Sequence, residues 1–488
     1  MDRRHFLGGL MAGIPAVALA GPPATATRPV MRDGAAIARL AGAAARGLDP
    51  ALAEVSGFVL LDGRTGEVIE SHQPEIALPP ASVTKAVTAI YARETLGDSY
   101  RFVTRVLATG PVVNGKLQGD LYLVGGGDPA LDTDELSGLA AALVTKGIRA
   151  ITGRFYVDGS ALPEIDEIDP TQPDYVGYNA AVGGLNLNFN RVYFEWKQGV
   201  EGYRLSLDAR GETVRPLVNW VAIRDEERGA PVFRYSEVNG RDRWSVARSA
   251  LGKEGGRWLP VRQPADYVGD VFRTLAGAAG LILPAHRRGT APAEAVEMAR
   301  FESNRLDEVI RWMLKYSNNM TAECLGLTAS QKLGQKPRSL QESSGLMDRW
   351  AALNLGGVNP GFRNHSGLTD RARVSPRDMA TMLGTPRAKR QLDGVLKAHK
   401  ILDAQGNLVD TGDVKVFAKT GSLNFTHALA GYIEKGGQKH VFAIFAADLA
   451  RRAAIPMAER ERPRGAQTWA GKARRQEQAI LRSWIARL

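Results

Sequence analysis

Between residues 96 and 294 the chain breaks into short alternating segments: "RFVTRVLAT", "GKLQGDLYLVG", "GRFYVDG", "VYFEWKQ", "YRLSLDAR" and "RWSVARSAL". Gly, Pro, Asn and Asp separate them, and period-two alternation between such breakers predicts strands. The flanks read differently. Residues 27–95 are alanine-rich and helical apart from "VSGFVLLDGRTGEVIESH", a hairpin turning at "DGRTG". Helical periodicity returns over "RLDEVIRWMLKYSNNMTAECLGLTASQKLG" and in the last twenty residues. "VKVFAKTGSLNFTHALAGYIEKGGQKHVFAIFAADLA" reads as three strands, the last two joined across "KGGQK". At 488 residues the chain is too long for one ordinary domain. The simplest organisation is one α/β domain built from 27–95 plus 295–488, whose halves meet in space. It is interrupted by a β-rich insertion at 96–294, with room for an inner subdomain at about 190–265.

The first residues belong to targeting. "MDRRHFLGGLMAGIPAVALA" has paired Arg3-Arg4, an apolar run from Phe6 to Ala20 and small residues at Ala18 and Ala20. That run is too short to span a bilayer and ends like a signal peptide, assigned to 1–26, with cleavage after Ala20 or Ala26. "RRHFL" resembles a twin-arginine signal, which implies export to the periplasm. No later apolar run approaches a membrane span, so any membrane contact is peripheral. The net charge of +11 becomes +10 once Asp2, Arg3 and Arg4 are removed. An exported basic protein does not routinely meet nucleic acid; a solvated face or an anionic cell-surface polymer accounts better for the charge. The single cysteine, Cys324, excludes an internal disulfide framework and reads as core filling.

Chemistry enters at "PPASVTKAVTAIYAR" (79–93), where Lys85 is the one charge between Glu75 and Arg93. If Ser82 capped the helix, a capping box would want Glu or Gln at 85. A lysine there meets the positive end of the helix dipole, at a cost of a few tenths to about 1 kcal/mol. Reactivity explains it better. Residues three apart share a helix face, so Lys85 can reach Ser82. Burial and the dipole push an amine toward its neutral form, which can deprotonate a hydroxyl. The helix start also directs N–H groups toward an oxyanion formed there. Two companions reinforce the pair: "YSNNM" supplies Ser317 and Asn319, and "FAKTGS" places Lys419, Thr420 and Gly421 at a strand end, where lysine and hydroxyls suit a carboxylate.

S-x-x-K, S-x-N and K-T-G in this order resemble the signature of penicillin-recognising serine enzymes, the D,D-peptidases and serine β-lactamases. Ser317 and Lys419 are 102 residues apart, and Ser82 and Ser317 are 235 apart. The long second interval resembles the class C low-molecular-mass penicillin-binding proteins, the D-alanyl-D-alanine carboxypeptidase/endopeptidases. "LYLVGGGDPAL" (121–131), "YNAAVGGLNLNFN" (178–190) and "NHSGL" (364–368) look like the same family.

The resemblance implies a penicillin-binding transpeptidase-like fold: an antiparallel sheet flanked by helices, carrying a large β-rich insertion as one or two extra domains. It implies peptidoglycan stem peptides as substrate, β-lactam antibiotics as acylating inhibitors, and no cofactor or metal. Ser82 would be the nucleophile and Lys85 its base, a role disputed among these enzymes. Ser317 would pass a proton to the leaving amine, Lys419 would supply positive charge, and Asn319 would hold the substrate amide and orient Lys85. Thr420 and Ser422 would grip the terminal carboxylate beside Gly421, with the N–H groups of Ser82 and Ser422 as oxyanion hole. Asn424 would contact the stem side chain. Asp158, in "FYVDGSAL", stands either where the family meets the diaminopimelate amine or as a solvated turn residue. After "SGLT" the chain has Asp370 and then Arg371, a departure from an arginine the family can carry there.

Rival readings are a β-lactamase or esterase on the same scaffold, or an inactive peptidoglycan-binding protein. Common class A β-lactamases deacylate with a glutamate downstream of S-x-N, and no Asp or Glu lies between Asp348 and Asp370 here. The five intact motif residues argue against an inactive protein. The seven histidines show no H-x-x-x-H spacing and there is no G-x-S-x-G elbow, against a metallopeptidase or an α/β-hydrolase. His365 and His427 read as structural. Carboxypeptidase versus endopeptidase balance, stem-peptide preference and oligomeric state stay open.

Overall fold

The computed structural model describes residues 48–358 and 360–488, so the signal-peptide assignment at 1–26 lies outside the described residues. A six-stranded antiparallel sheet is ordered Lys397–Ala398, Lys415–Leu423, Thr426–Lys435, Gln438–Ala447, Ser56–Leu61, Val68–His72. The hairpin at Ser56–His72 and the three C-terminal strands are those the alternation predicts. The two ends of the chain meet where Ser56–Leu61 pairs with Gln438–Ala447, Ser56 opposite Ala446.

The central strands are apolar throughout because both faces are covered. Val59, Leu61, Ala428, Ala430, Val441, Ala443 and Phe445 join a core under the helices Thr84–Leu96, Leu306–Tyr316, Leu340–Leu355 and Pro376–Gly384. Their alternates Phe58, Leu60, Leu429, Phe442 and Ile444 pack against Ile480, Leu481 and Trp484 of the last helix, Ala466–Ile485. In Thr84–Leu96 residues 84–92 are all buried, so this stretch of the helix has no solvent face on which to place the Lys85 charge.

The β-rich segment forms its own core. A mixed five-stranded sheet is ordered His286–Arg288, Phe155–Asp158, Leu121–Val124, Val103–Ala108, Val296–Glu302. Two three-stranded sheets occupy residues 191–260. No helix among the described residues is long and apolar enough to cross a membrane.

The reading of 305–334 as one helical pattern needs correction. It is two helices, Leu306–Tyr316 and Asn319–Lys332, broken where Ser317 turns left-handed at φ 57°. The apolar spacing continues across the break, so periodicity alone does not reveal it.

Trp484 tests the two-faced sheet. It is fully buried, its indole Nε1 donating to Glu70 Oε2 at 2.9 Å. Trp484→Ala is expected to cost about 3–5 kcal/mol, read as a lower denaturation midpoint, with Trp484→Phe losing less.

Candidate active site

Ser82 is not a helix N-cap. It sits in a 3₁₀ turn, Ala81–Val83, and the helix proper starts at Thr84 with Val83 in the cap position and no side-chain cap. The Ser82 hydroxyl is therefore not spent on helix N–H groups. Ala81 holds a left-handed φ of 45°, worth roughly 1–3 kcal/mol of strain. Two glycines from other segments fit around this turn. A Cβ on Gly421 would lie 2.6 Å from the Pro80 carbonyl oxygen and 3.0 Å from the Ser82 nitrogen. Gly367, at φ 75°, would put one 1.9 Å from the Ala81 carbonyl oxygen.

Lys85 is 0% exposed. Its Nζ lies 2.9 Å from Ser82 Oγ, 2.7 Å from Asn319 Oδ1 and 2.7 Å from the Ser366 carbonyl oxygen. Asn319 Nδ2 donates to the Tyr178 carbonyl at 2.9 Å, which fixes Oδ1 toward the amine. Two of the three neighbours are thus carbonyl oxygens that only accept. A neutral amine gives its two hydrogens to them and turns its lone pair to the Ser82 hydroxyl. Burial, then the charge of Lys419, holds the Lys85 pKa well below the ordinary lysine value.

Glu323, on the helix that carries Asn319, is fully buried; burial raises its pKa. It accepts the N–H of His365 at 2.9 Å and of Ser366 at 2.8 Å, and so aims the Ser366 carbonyl at Lys85. The sequence reading assigned Glu323 no part; the available signal is its i+4 spacing from Asn319 inside an otherwise apolar run. It likewise gave "NHSGL" no task, although this loop supplies both Ser366 and Gly367. His365 is buried against Ser343 at 2.8 Å, and burial lowers its pKa to about 3, leaving it a neutral structural group. His427 pairs with Glu477 at 2.7 Å, and Cys324 is fully buried.

The helix break presents Ser317, whose Oγ accepts from Lys419 Nζ at 3.0 Å. Lys419 is 4% exposed, and burial, then nearby Lys397, lowers its pKa to about 8. Along the strand Thr420 and Ser422 are exposed while Lys419 and Gly421 face inward. The edge beside 419–423 is open, because Lys397–Ala398 pairs only with Phe417 and Ala418.

The structure thus brings Ser82, Lys85, Ser317, Asn319, Lys419 and Gly421 together. Asn424 lies past the strand, its Nδ2 donating to the Arg460 carbonyl at 2.5 Å. Asp158 is not joined to this network by any hydrogen bond. It is 4% exposed, ends a strand of the five-stranded sheet, and accepts the N–H groups of Ser160 (3.0 Å) and Ala291 (2.8 Å). Asp370, at the departure after "SGLT", pairs with Arg452 at 2.9 Å.

A serine hydroxyl facing a buried amine, beside an open strand edge with an inward lysine, is the arrangement of a penicillin-recognising serine enzyme. The family described as D-Ala-D-Ala carboxypeptidase 3 (S13) matches residues 40–462. The chain is similar to the D-alanyl-D-alanine carboxypeptidase of Actinomadura sp. strain R39, 28% identical over 437 residues (79% of this chain, 76% of that one). It is also similar to the D-alanyl-D-alanine carboxypeptidase DacB of Haemophilus influenzae, 24% identical over 416 residues (80% and 84%). The crystal structure of penicillin binding protein 4 (dacB) from Haemophilus influenzae shares the fold, with TM-score 0.64 and 24% identity over 81% of this chain and 91% of that one. The chain belongs to the D-Ala-D-Ala carboxypeptidase 3 (S13) family and is a serine-type D-Ala-D-Ala carboxypeptidase in class.

Gly421→Ala tests the packing of the strand on the Ser82 turn. The clash is with backbone, which cannot swing aside, so we expect acylation by fluorescent penicillin to fall at least about tenfold, a loss of about 1.4 kcal/mol in transition-state stabilisation. Gel fluorescence over time measures it.

Proposed function

We propose that the enzyme cleaves the D-Ala-D-Ala end of peptidoglycan stem peptides, and the D-Ala cross-link between two stems, through an acyl-enzyme on Ser82. The observation that carries this is the buried Lys85 Nζ 2.9 Å from Ser82 Oγ, with two carbonyl oxygens as its other neighbours. The stem lies along the open edge of 419–423 as an added strand. Ser82 Oγ attacks the penultimate D-Ala carbonyl carbon while its proton passes to Lys85 Nζ. The N–H groups of Ser82 and Ser422 hold the oxyanion. Thr420, Ser422 and the Lys419 charge hold the terminal carboxylate. When the C–N bond breaks, the amine takes a proton through Ser317, and water then cleaves the ester. Penicillin acylates Ser82 and stays, because its leaving group remains tethered. Asn424, just past the strand, contacts the stem side chain. Asp158, each of whose oxygens accepts one backbone N–H, keeps both of its readings, at the diaminopimelate amine of the stem or as a turn residue. The twin-arginine-like leader supports action in the periplasm.

Purified protein treated with fluorescent penicillin should label, and should release D-Ala from a D-Ala-D-Ala pentapeptide. Wild type that does neither refutes the reading, and label persisting in Ser82→Ala refutes the nucleophile. Lys85→Ala should slow acylation by on the order of 10²–10⁴-fold, the usual share of a general base.

The two lysines set opposite pH limbs. Lys85 works deprotonated, so the rate rises as pH climbs through its lowered pKa. Lys419 works charged, so the rate falls as pH climbs through about 8. Acylation rates across the pH range measure both limbs; a rate unchanged through about pH 8 would remove Lys419's charge from the mechanism.

A further inference from the structure

Next to the Ser82 network lies a cleft of about 710 Å³, lined by Ser317, Asn319, Tyr178, Arg191, Trp258 and Arg462 among others. Its volume is in the range that buries a drug-sized ligand, far more than one D-Ala needs. It begins at the proton donor of the proposed reaction. Ser317 Oγ already accepts from Lys419, so its own hydrogen is free for another acceptor. The amine that receives this proton therefore sits at the mouth of the cleft, and whatever is attached to that amine extends inward.

The cleft walls are aromatic and cationic. Arg191 lies over the rings of Phe189 and Trp258, 5.2 Å from each centroid. Among the described residues its guanidinium has no hydrogen bond and no carboxylate in ion-pair range, and its Nε is a solvent-shielded donor without an acceptor. Arg462 is exposed and also has no ion pair among the described residues. Arg257 is paired with Glu461 at 3.3 Å, the one carboxylate in the lining. Three arginines against one glutamate leave an excess of positive charge. Buried guanidinium groups are ordinarily paired, and a planar fork held between rings matches a carboxylate in two-point contact. Tyr178 and Tyr316, 46% and 69% exposed, flank the mouth, and Tyr178 is tied to the reaction centre because its carbonyl holds Asn319.

We propose that this cleft is a binding site for the leaving half of a cross-linked substrate, a carboxylate-bearing second stem peptide, with Arg191 and Arg462 taking its carboxylates. The assignment rests on the acyl-enzyme reading above. It makes the cleft the determinant of how well cross-links are cleaved relative to a terminal D-Ala, whose departure uses only the mouth.

The test compares a cross-linked stem dimer with a pentapeptide as substrates of the full-length enzyme. Arg191→Gln and, separately, Arg462→Gln should lower the ratio of kcat/KM for dimer over pentapeptide, Arg191→Gln by about tenfold. Arg191→Lys, which keeps charge and loses the fork, should fall between. For wild type, amidating the carboxylates of the leaving stem other than the one beside the scissile amine, which the K-T-G strand holds, should lower the same ratio, which separates a carboxylate site from a merely apolar groove. Penicillin labelling stoichiometry shows the fraction of each variant that is folded. Should Arg191→Gln fail to fold, Arg462→Gln and the amidated dimer decide. A ratio unchanged by Arg462→Gln and by amidation overturns the proposal, as does an unchanged ratio in folded Arg191→Gln. Wild type that does not acylate at all refutes the parent reading instead.

Discussion

A lysine amine sealed from solvent among three oxygen atoms is the constraint around which this protein is organised. An ammonium buried as deeply as Lys85 would need a carboxylate at hydrogen-bond distance to offset its desolvation. The nearest acidic group, Glu323, bonds instead to two backbone N–H groups of the 365–366 turn. It contributes geometry more than charge neutralisation. The two carbonyls around Nζ then act together: each takes one hydrogen, and the third position of the nitrogen faces Ser82.

Holding those acceptors requires distant parts of the chain. Asn319 depends on the helix break at Ser317, Ser366 on the loop braced by Glu323, and Ser82 on a turn fitted between Gly367 and Gly421. Two non-glycine residues in this small region, Ala81 and Ser317, hold left-handed backbone. Such conformations persist only where surrounding structure fixes them. Here the covered sheet and the buried run 84–92 of the helix Thr84–Leu96 provide that support.

Much of this was legible in the sequence, for identifiable reasons. The strands were readable because apolar runs ended at strong breakers such as "DGRTG" and "KGGQK". The site was readable because Lys85 contradicts the local preference at a helix start, and such contradictions gather where chemistry outweighs stability. What escaped depended on tertiary position. The break at Ser317 interrupts no apolar spacing, so only the site that needs it reveals it. Ser82 resembled a cap because serine favours that position, yet the turn before the helix moved the cap to Val83. That Asp158 accepts the N–H of Ala291, 133 residues away, is likewise a matter of tertiary position that no local pattern records. Arg191 carried no motif at all: its interest lies in a missing partner, which no linear pattern records.

The pairing of Ser56–Leu61 with Gln438–Ala447 has a consequence for synthesis. The strand Ser56–Leu61 pairs locally with Val68–His72, but its other neighbour in the sheet arrives only after nearly 400 further residues, Ser56 opposite Ala446. Contacts this distant in sequence make assembly slow and leave strand edges exposed in the meantime. A growing chain therefore carries Ser82 and Lys85 long before it has the strand with Gly421 that packs on the Ser82 turn. Catalytic competence arrives with the last strands, so an incomplete chain holds the nucleophile motif without an assembled site.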